Sequence, residues 1–322
     1  MWLSDTVVNH LREVSSEPDL SGTRYELVRR IGQGGMGAVY LARDTELDRD
    51  VAIKVSVAAG AGDLSERLRR EAKFIARLEH PGIVPVHDSG TLPDGRVFYV
   101  MKLVRGERLD AWAKGRELRE RLRLFRRICE AVAFAHAHEV LHRDLKPENV
   151  MVGEFGEALV MDWGLARLLS ATPEAALNVP ATFGATLAGA VVGTPAYMAP
   201  EQARGDHAAL SARTDVYGLG AILYALLEGR PPGPSPTPLD RTLPPAVISV
   251  CEKAMAPAPV DRYPSATELG EDVGRFLEQE PVRAHPETLL ERVGRFASRN
   301  SIVLSLVGVY LLVRLLLLLL PG

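Results

Sequence analysis

Residues 134–151 read FAHAHEVLHRDLKPENVM, and two chemistries overlap in that stretch. His138 to His142, HEVLH, fits H-E-x-x-H, in which two histidines one helical turn apart bind zinc and the glutamate acts as general base. That reading needs His138, Glu139 and His142 on one continuous helix, with a third ligand from elsewhere. Arg143, Asp144 and Pro147 instead predict that the helix stops near His142. HRDLKPEN, His142 to Asn149, then forms a polar loop of its own. His142 belongs to both patterns and cannot serve both, so the rest of the chain decides.

The chain has 322 residues, 47% hydrophobic and 25% charged, with a formal net charge of −3. Such a length holds one large or two-lobed domain with extensions. No basic excess is present to offset phosphates, so there is no electrostatic case for a nucleic-acid partner. Cys129 and Cys251 fall in apolar-periodic, helix-like stretches and read as buried core residues, which suits a reducing compartment. The opening MWLSDTVVNHLREV lacks a basic segment followed by an apolar core and does not read as a signal peptide. Residues 302–320, IVLSLVGVYLLVRLLLLLL, are apolar on every face but for Ser305, Tyr310 and Arg314. At 1.5 Å rise this run is about 28 Å long, close to the hydrocarbon thickness of a bilayer. It predicts a single transmembrane helix. Arg292, Arg295 and Arg299 precede it and place the domain on the cytoplasmic side of an inner membrane.

From Tyr25 to about Gly106 the pattern reads as strands interrupted by one helix. YELVRRIGQGGMGAVYLARD alternates around a glycine cluster as strand, turn and strand, and DVAIKVSV continues as a third strand. Leu64, Leu68, Ala72, Ile75 and Leu78 recur at helical spacing, ended by His80–Pro81. VFYVMKLV is a further strand. After Gly106 the pattern turns helical, with apolar faces in 118–139, 216–228 and 245–256. An α+β chain with a β-rich first lobe, a crossover near Lys102–Gly106 and an α-rich second lobe follows.

Gly32, Gly34 and Gly37 form G-x-G-x-x-G. A strand follows the glycines instead of a helix, which argues against a dinucleotide fold. Glycine lets backbone N–H groups approach a polyphosphate closely. Lys54 lies in VAIK on an apolar strand, where a lone lysine is ordinarily a solvated edge charge. Glu71 on the next helix could pair with it.

Together these motifs resemble those of a bacterial serine/threonine protein kinase of the membrane-attached kind that shares the eukaryotic kinase fold. HRDLKPEN, DWGLAR at 162–167, GTPAYMAPE at 193–201, TDVYGLGAILYALLEGRPP at 214–232 and DRYPSATEL at 261–269 arrive in that family's order. The resemblance covers about 25–276 and implies a kinase domain over 25–278, its N-lobe 25–103 and its C-lobe 104–278. An N-terminal extension (1–24), a juxtamembrane segment (279–301) and the membrane helix (302–320) flank it.

The resemblance also implies roles. Asp144 would orient the acceptor hydroxyl, Lys146 would stabilise the transferred phosphoryl group, and Lys54, held by Glu71, would bind phosphates. Asn149 and Asp162 would hold magnesium, or manganese in its place. ATP would lie against Ile31, Gly32, Gln33, Gly34, Gly35, Met36 and Gly37, with Val39, Ala52 and Met151 around adenine, Met101 as gatekeeper and the backbone near Leu103 and Val104 at its edge. Thr194 would help accept a Ser/Thr side chain. Glu201 and Arg262 would pair in the C-lobe, Asp215 would anchor the catalytic loop, and His142 would support it. Arg143 is the family's sign of activation by phosphorylation, with Thr186 the first acceptor and Thr182 the second, reached in trans within a homodimer. Protein Ser/Thr side chains would be the substrates.

Two departures stand out. Trp163 replaces the usual Phe after the metal-binding aspartate and should pack on Ile75 and His142. Between the GRPP and LPP signals a Pro-rich linker replaces a family helix, and prolines forbid a helix there. A pseudokinase scaffold that binds nucleotide or partners is the alternative reading.

Overall fold

A computed structural model describes residues 17–34, 37–56, 63–163, 167–168, 195–206, 208–233, 237–288, 291–293 and 300–319. Five antiparallel strands make the first lobe: β1 (Tyr25–Gly34), β2 (Gly37–Asp44), β3 (Arg49–Ser56), β4 (Val86–Thr91) and β5 (Val97–Lys102), in the order β1-β2-β3-β5-β4. Helix α1 (Asp63–Ile75) packs on one face. On the other face Tyr25, Tyr40, Val51, Ile53, Val55, Phe98 and Val100 form a separate core. The period-2 alternation of β3 explains the division: Val51, Ile53 and Val55 point to this core, whereas Ala52 and Lys54 point to α1 and the second lobe. Leu20 also enters this core, so the chain before Tyr25 already packs on the lobe.

Gly37 is fixed by space. A Cβ there would overlap the carbonyl oxygen of Val55 on the adjacent strand, so the β1–β2 hairpin can lie on β3 only with glycine at this point.

The second lobe is mostly helical, with α2 (Leu109–Trp112), α3 (Leu118–Ala137), α4 (Pro200–Ala203), α5 (Ala212–Glu228), α6 (Pro245–Ala254) and α7 (Ala266–Leu277). Short strands β6 (Gly106–Arg108), β8 (Val150–Gly153) and β9 (Ala158–Val160) form one sheet, and β7 (Val140–Leu141) pairs with β10 (Arg167–Leu168). α5 is the buried central helix, with Val216, Leu219, Ile222, Leu223 and Leu226 at most 2% exposed. Its apolar residues occur on all sides, as a helix surrounded by protein requires. Gly220 allows α6 to approach, because a Cβ there would sit 2.7 Å from Met255 and 2.8 Å from Ala254. Cys129 and Cys251 are free and buried as read from sequence, and burial pushes both thiols far above their ordinary pKa.

Among the described residues no helix lies between Gly233 and Leu243, in keeping with the proline count there. Beyond α7 the chain stays on the lobe. Val282 is 5% exposed, and the buried Asp272 accepts the N–H groups of Arg283 (2.7 Å) and Ala284 (3.0 Å) and the Tyr263 hydroxyl (2.8 Å). The helix expected over 302–320 forms as α8 (Ser301–Leu319). Its side chains are described over 305–314, and among the described residues no helix is long and apolar enough to cross a membrane.

Candidate active site

The site is built where the inner face of the first lobe meets the loop after β7. Antiparallel register sets Val39 and Tyr99 opposite Lys54, and Met101 opposite Ala52. Directly opposed residues share a face, so Val39, Ala52, Lys54, Tyr99 and Met101 form one patch. Ala52 is 4% exposed, while Val39, Met101, Leu103, Val104 and Met151 are half-buried. Ile31 and Gln33 are exposed near the end of β1, Gly32 lies between them, and Gly34 pairs with Gly37. Gly35 and Met36 lie outside the described residues.

Lys54 is the centre of the charge arrangement. Its Nζ donates to Glu71 Oε1 (2.9 Å) and Oε2 (3.2 Å) and to Asp162 Oδ1 (2.7 Å). Burial opposes its charge, but Tyr99, Glu71 and Asp162 around it outweigh that cost and hold its pKa well above the ordinary value. Tyr99 donates to Glu71 Oε1 at 2.9 Å, a partner the sequence reading missed. Glu71 is thereby fixed from two sides. Asp162 keeps a half-exposed side chain, and the Lys54 charge beside it lowers its pKa against the effect of burial.

Helix α3 ends at Ala137 with His138 at its C-cap, and Glu139 turns left-handed at φ 61°. Val140 and Leu141 then run as a strand. HEVLH is therefore not helical, its two histidines do not share a face, and no metal-binding cluster occurs among the described residues. The zinc reading fails on backbone conformation.

His142 is fully buried. Its Nδ1 accepts the Asp144 N–H (3.2 Å), so Nε2 carries the proton and donates to Met161 O (2.9 Å). The ring lies 4.6 Å from that of Trp163, which is 1% exposed and shares a core cluster with Ile75. Asp215 accepts the N–H groups of His142 and Arg143, both at 2.8 Å, and meets His136 Nε2 at 2.7 Å. Arg143 is left-handed at φ 68°, a conformation costing about 1 kcal/mol or more for a non-glycine residue. Two bonds hold it there: its N–H to Asp215, and its carbonyl accepting from Gln202 Nε2 at 2.8 Å.

Burial pushes the Asp215 carboxyl up, but the hydrogen bond from His136 and the Arg143 N–H bring it below the usual aspartate range. A depressed carboxyl adds stability that is complete above the unfolded value of about 4 and is lost as pH falls through the lower folded value. Asp215→Asn should remove this component. Urea titrations of the variant are expected to show a flatter stability–pH curve below about pH 4 than those of the wild type, while an unchanged curve would contradict this assignment.

The remaining groups converge on Asp144. Lys146 Nζ donates to Asp144 Oδ2 (2.8 Å), and Asn149 Nδ2 donates to Asp144 O (2.7 Å) and Oδ2 (3.0 Å). Both side chains reach the carboxylate at Oδ2, which leaves Oδ1 of this part-exposed group to accept a proton. With Nδ2 committed to Asp144, Oδ1 is the Asn149 atom that could bind a cation. A carboxylate kept charged and half-exposed at Asp162, with the Asn149 amide oxygen, is a hard-oxygen donor set that suits magnesium.

Glu201 and Arg262 pair bidentately at 2.7 and 2.8 Å, both buried. Thr182, Thr186 and Thr194 lie outside the described residues.

The sequence model of the protein kinase domain matches residues 25–270. The chain belongs to the protein kinase domain family. Its kinase domain is similar to the serine/threonine-protein kinases PknD of Chlamydia felis (36% identical, 88% of this chain and 34% of that protein) and PknD of Chlamydia trachomatis serovar D (38%, 84% and 33%). PknB of Mycobacterium tuberculosis is 37% identical over 90% of this chain and 48% of its own length. The chain thus spans about a third to a half of these curated relatives. A kinase domain uses ATP and magnesium.

Proposed function

We propose that this chain is the catalytic part of a serine/threonine protein kinase held at a bacterial inner membrane, its kinase domain cytoplasmic, which phosphorylates proteins and its own activation segment. The observation that carries the reading is Lys54 bonded at once to Glu71 and Asp162, with Asp144, Lys146 and Asn149 joined beyond them. Phosphoryl transfer needs placement and charge neutralisation more than covalent chemistry, and every one of these contacts supplies one or the other. ATP supplies the γ-phosphoryl group, and Asn149 and Asp162 would hold the magnesium that would supply charge neutralisation there.

Asp144 Oδ1 takes the proton of the acceptor hydroxyl as the hydroxyl oxygen bonds to the γ-phosphorus and the bond from that phosphorus to the β,γ-bridging oxygen breaks, releasing ADP. Lys146, beside Asp144, stabilises the charge on the moving group. Lys54 fixes the nucleotide phosphates, and Glu71 with Tyr99 keeps Lys54 in place. A scaffold without transfer would have no use for the Asp144–Lys146–Asn149 set.

The exposed apolar side chains of α8, Leu306 (65%), Leu311 and Leu312 (58% each) among them, support membrane attachment, as does the apolar run 302–320. Thr186, with Thr182 second, remains the acceptor suggested by Arg143, and a homodimer would let one copy act on another. The test is phosphoamino-acid analysis of casein labelled from γ-labelled ATP, with fractionation of cells expressing the chain. Phosphoserine or phosphothreonine, and recovery in the membrane fraction, are expected. Phosphotyrosine would overturn the specificity, and recovery in the soluble fraction would overturn the anchoring.

A further inference from the structure

Residues 237–244, which lead into α6 in the region where family members carry a helix, are held as a strap against the end of α5. Thr237 sits on it, exposed. The Thr237 hydroxyl accepts from Arg230 Nη2 at 2.7 Å and lies 2.8 Å from the Tyr224 hydroxyl, which also donates to the Thr237 carbonyl at 3.2 Å. The Arg230 guanidinium stacks 5.5 Å from the Tyr224 ring centroid, which fixes its position beside the hydroxyl. Glu228 competes for Arg230 at 3.2 Å and accepts the Asp240 N–H at 2.7 Å.

An exposed hydroxyl on a residue outside any helix or strand, with a guanidinium already in hydrogen-bond contact, is a phosphoacceptor with its receptor in place. We propose that Thr237 is phosphorylated by a second copy of this chain, and that Arg230 then leaves Glu228 to bind the phosphate and pin the strap across the end of α5. This rests on the kinase reading above. The same copy cannot act on itself. Asp215, at the start of α5, holds the catalytic loop, while Thr237 meets Tyr224 and Arg230 at its far end. From Asp215 to Glu228 the helix is about 20 Å long.

The balance is simple. Thr237 Oγ1 bonds to the γ-phosphorus of ATP bound in the second copy. The bond from that phosphorus to the β,γ-bridging oxygen breaks, ADP departs with the electron pair, and the hydroxyl proton passes to the second copy's Asp144. The phosphate brings a charge near −2 and three acceptor oxygens, enough to draw Arg230 from a single carboxylate.

The test mixes wild-type chain with an Asp144→Asn copy of distinguishable mass, γ-labelled ATP, magnesium and casein, followed by phosphopeptide mapping and limited proteolysis. Label is expected at Thr237 of the Asp144→Asn copy, rising with wild-type concentration and absent from an Asp144→Asn, Thr237→Val copy. Cleavage of the strap should slow several-fold on labelling, and Arg230→Gln should abolish that protection while the label remains. Labelled casein with no label at Thr237 overturns this proposal and leaves the kinase reading standing. No label on any protein overturns both. Label at Thr237 without slower cleavage overturns the Arg230 clamp.

Discussion

Asp144→Asn is expected to lower kcat by about 10²–10⁴-fold, the range supplied by one positioned general base, with little change in KM for ATP. The geometry says why so small a change is so costly. Oδ2 already accepts from Lys146 and Asn149, so the asparagine must turn its oxygen toward them. Its NH2 then occupies the place of Oδ1 and faces the acceptor hydroxyl as a donor. The hydroxyl loses its proton acceptor while the Lys54, Glu71 and Asp162 contacts persist. Steady-state kinetics with ATP and casein read the two parameters separately. A fall in kcat with unchanged KM is the signature of a group that acts in the transition state, and a rise in KM alone would assign Asp144 to ATP binding instead.

Arg262→Ala should destabilise the kinase domain by about 3–5 kcal/mol, the cost of leaving a buried charge without its partner. All five guanidinium donors are used: Nε to Ala256 O, Nη1 to Glu201 and Arg213 O, and Nη2 to Glu201 and Pro257 O. Removing them leaves the Glu201 carboxylate buried without its guanidinium partner, the Thr214 hydroxyl still donating at 3.1 Å. Burial alone would raise the Glu201 pKa, and Arg262 with the backbone and Thr214 bonds keeps it below the ordinary glutamate value. Total stabilities of domains run to about 5–15 kcal/mol, so the variant should accumulate poorly and unfold at much lower urea. Removing both charges, as in Glu201→Gln with Arg262→Met, should cost less than Arg262→Ala because no uncompensated ion remains. Equal urea midpoints for Arg262→Ala and wild type would contradict this account.

The candidate catalytic set was legible because it sits in short local strings. HRDLKPEN places Asp144, Lys146 and Asn149 within one loop, and VAIK places Lys54 on a strand. The partners that hold this set were not legible, since they meet across the fold with no local signature. His136 and Asp215 are 79 residues apart in sequence, Gln202 and Arg143 are 59 apart, and Tyr99 on β5 is 28 residues from Glu71 on α1. Strand β4, VHDSGT, also escaped the sequence reading. Its alternate residues are only half-buried, so it lacks the apolar signal of its neighbours. HEVLH misleads for the opposite reason: its spacing is right for zinc, but Glu139 adopts a left-handed backbone that separates the two histidines. Leu20 and Val282 show the limit of motif-based borders. Both are core residues outside the strings that mark the family, and the packed unit is longer at either end.

The central claim is that this chain transfers phosphoryl groups from ATP to protein hydroxyls through Asp144. Its most direct measurement is label transfer from γ-labelled ATP and magnesium into casein, by purified wild type and Asp144→Asn side by side. The account predicts label on casein serine and threonine with the wild type, and about 10²–10⁴-fold slower labelling with the variant. Equal labelling by the two proteins, or none by the wild type, would contradict it.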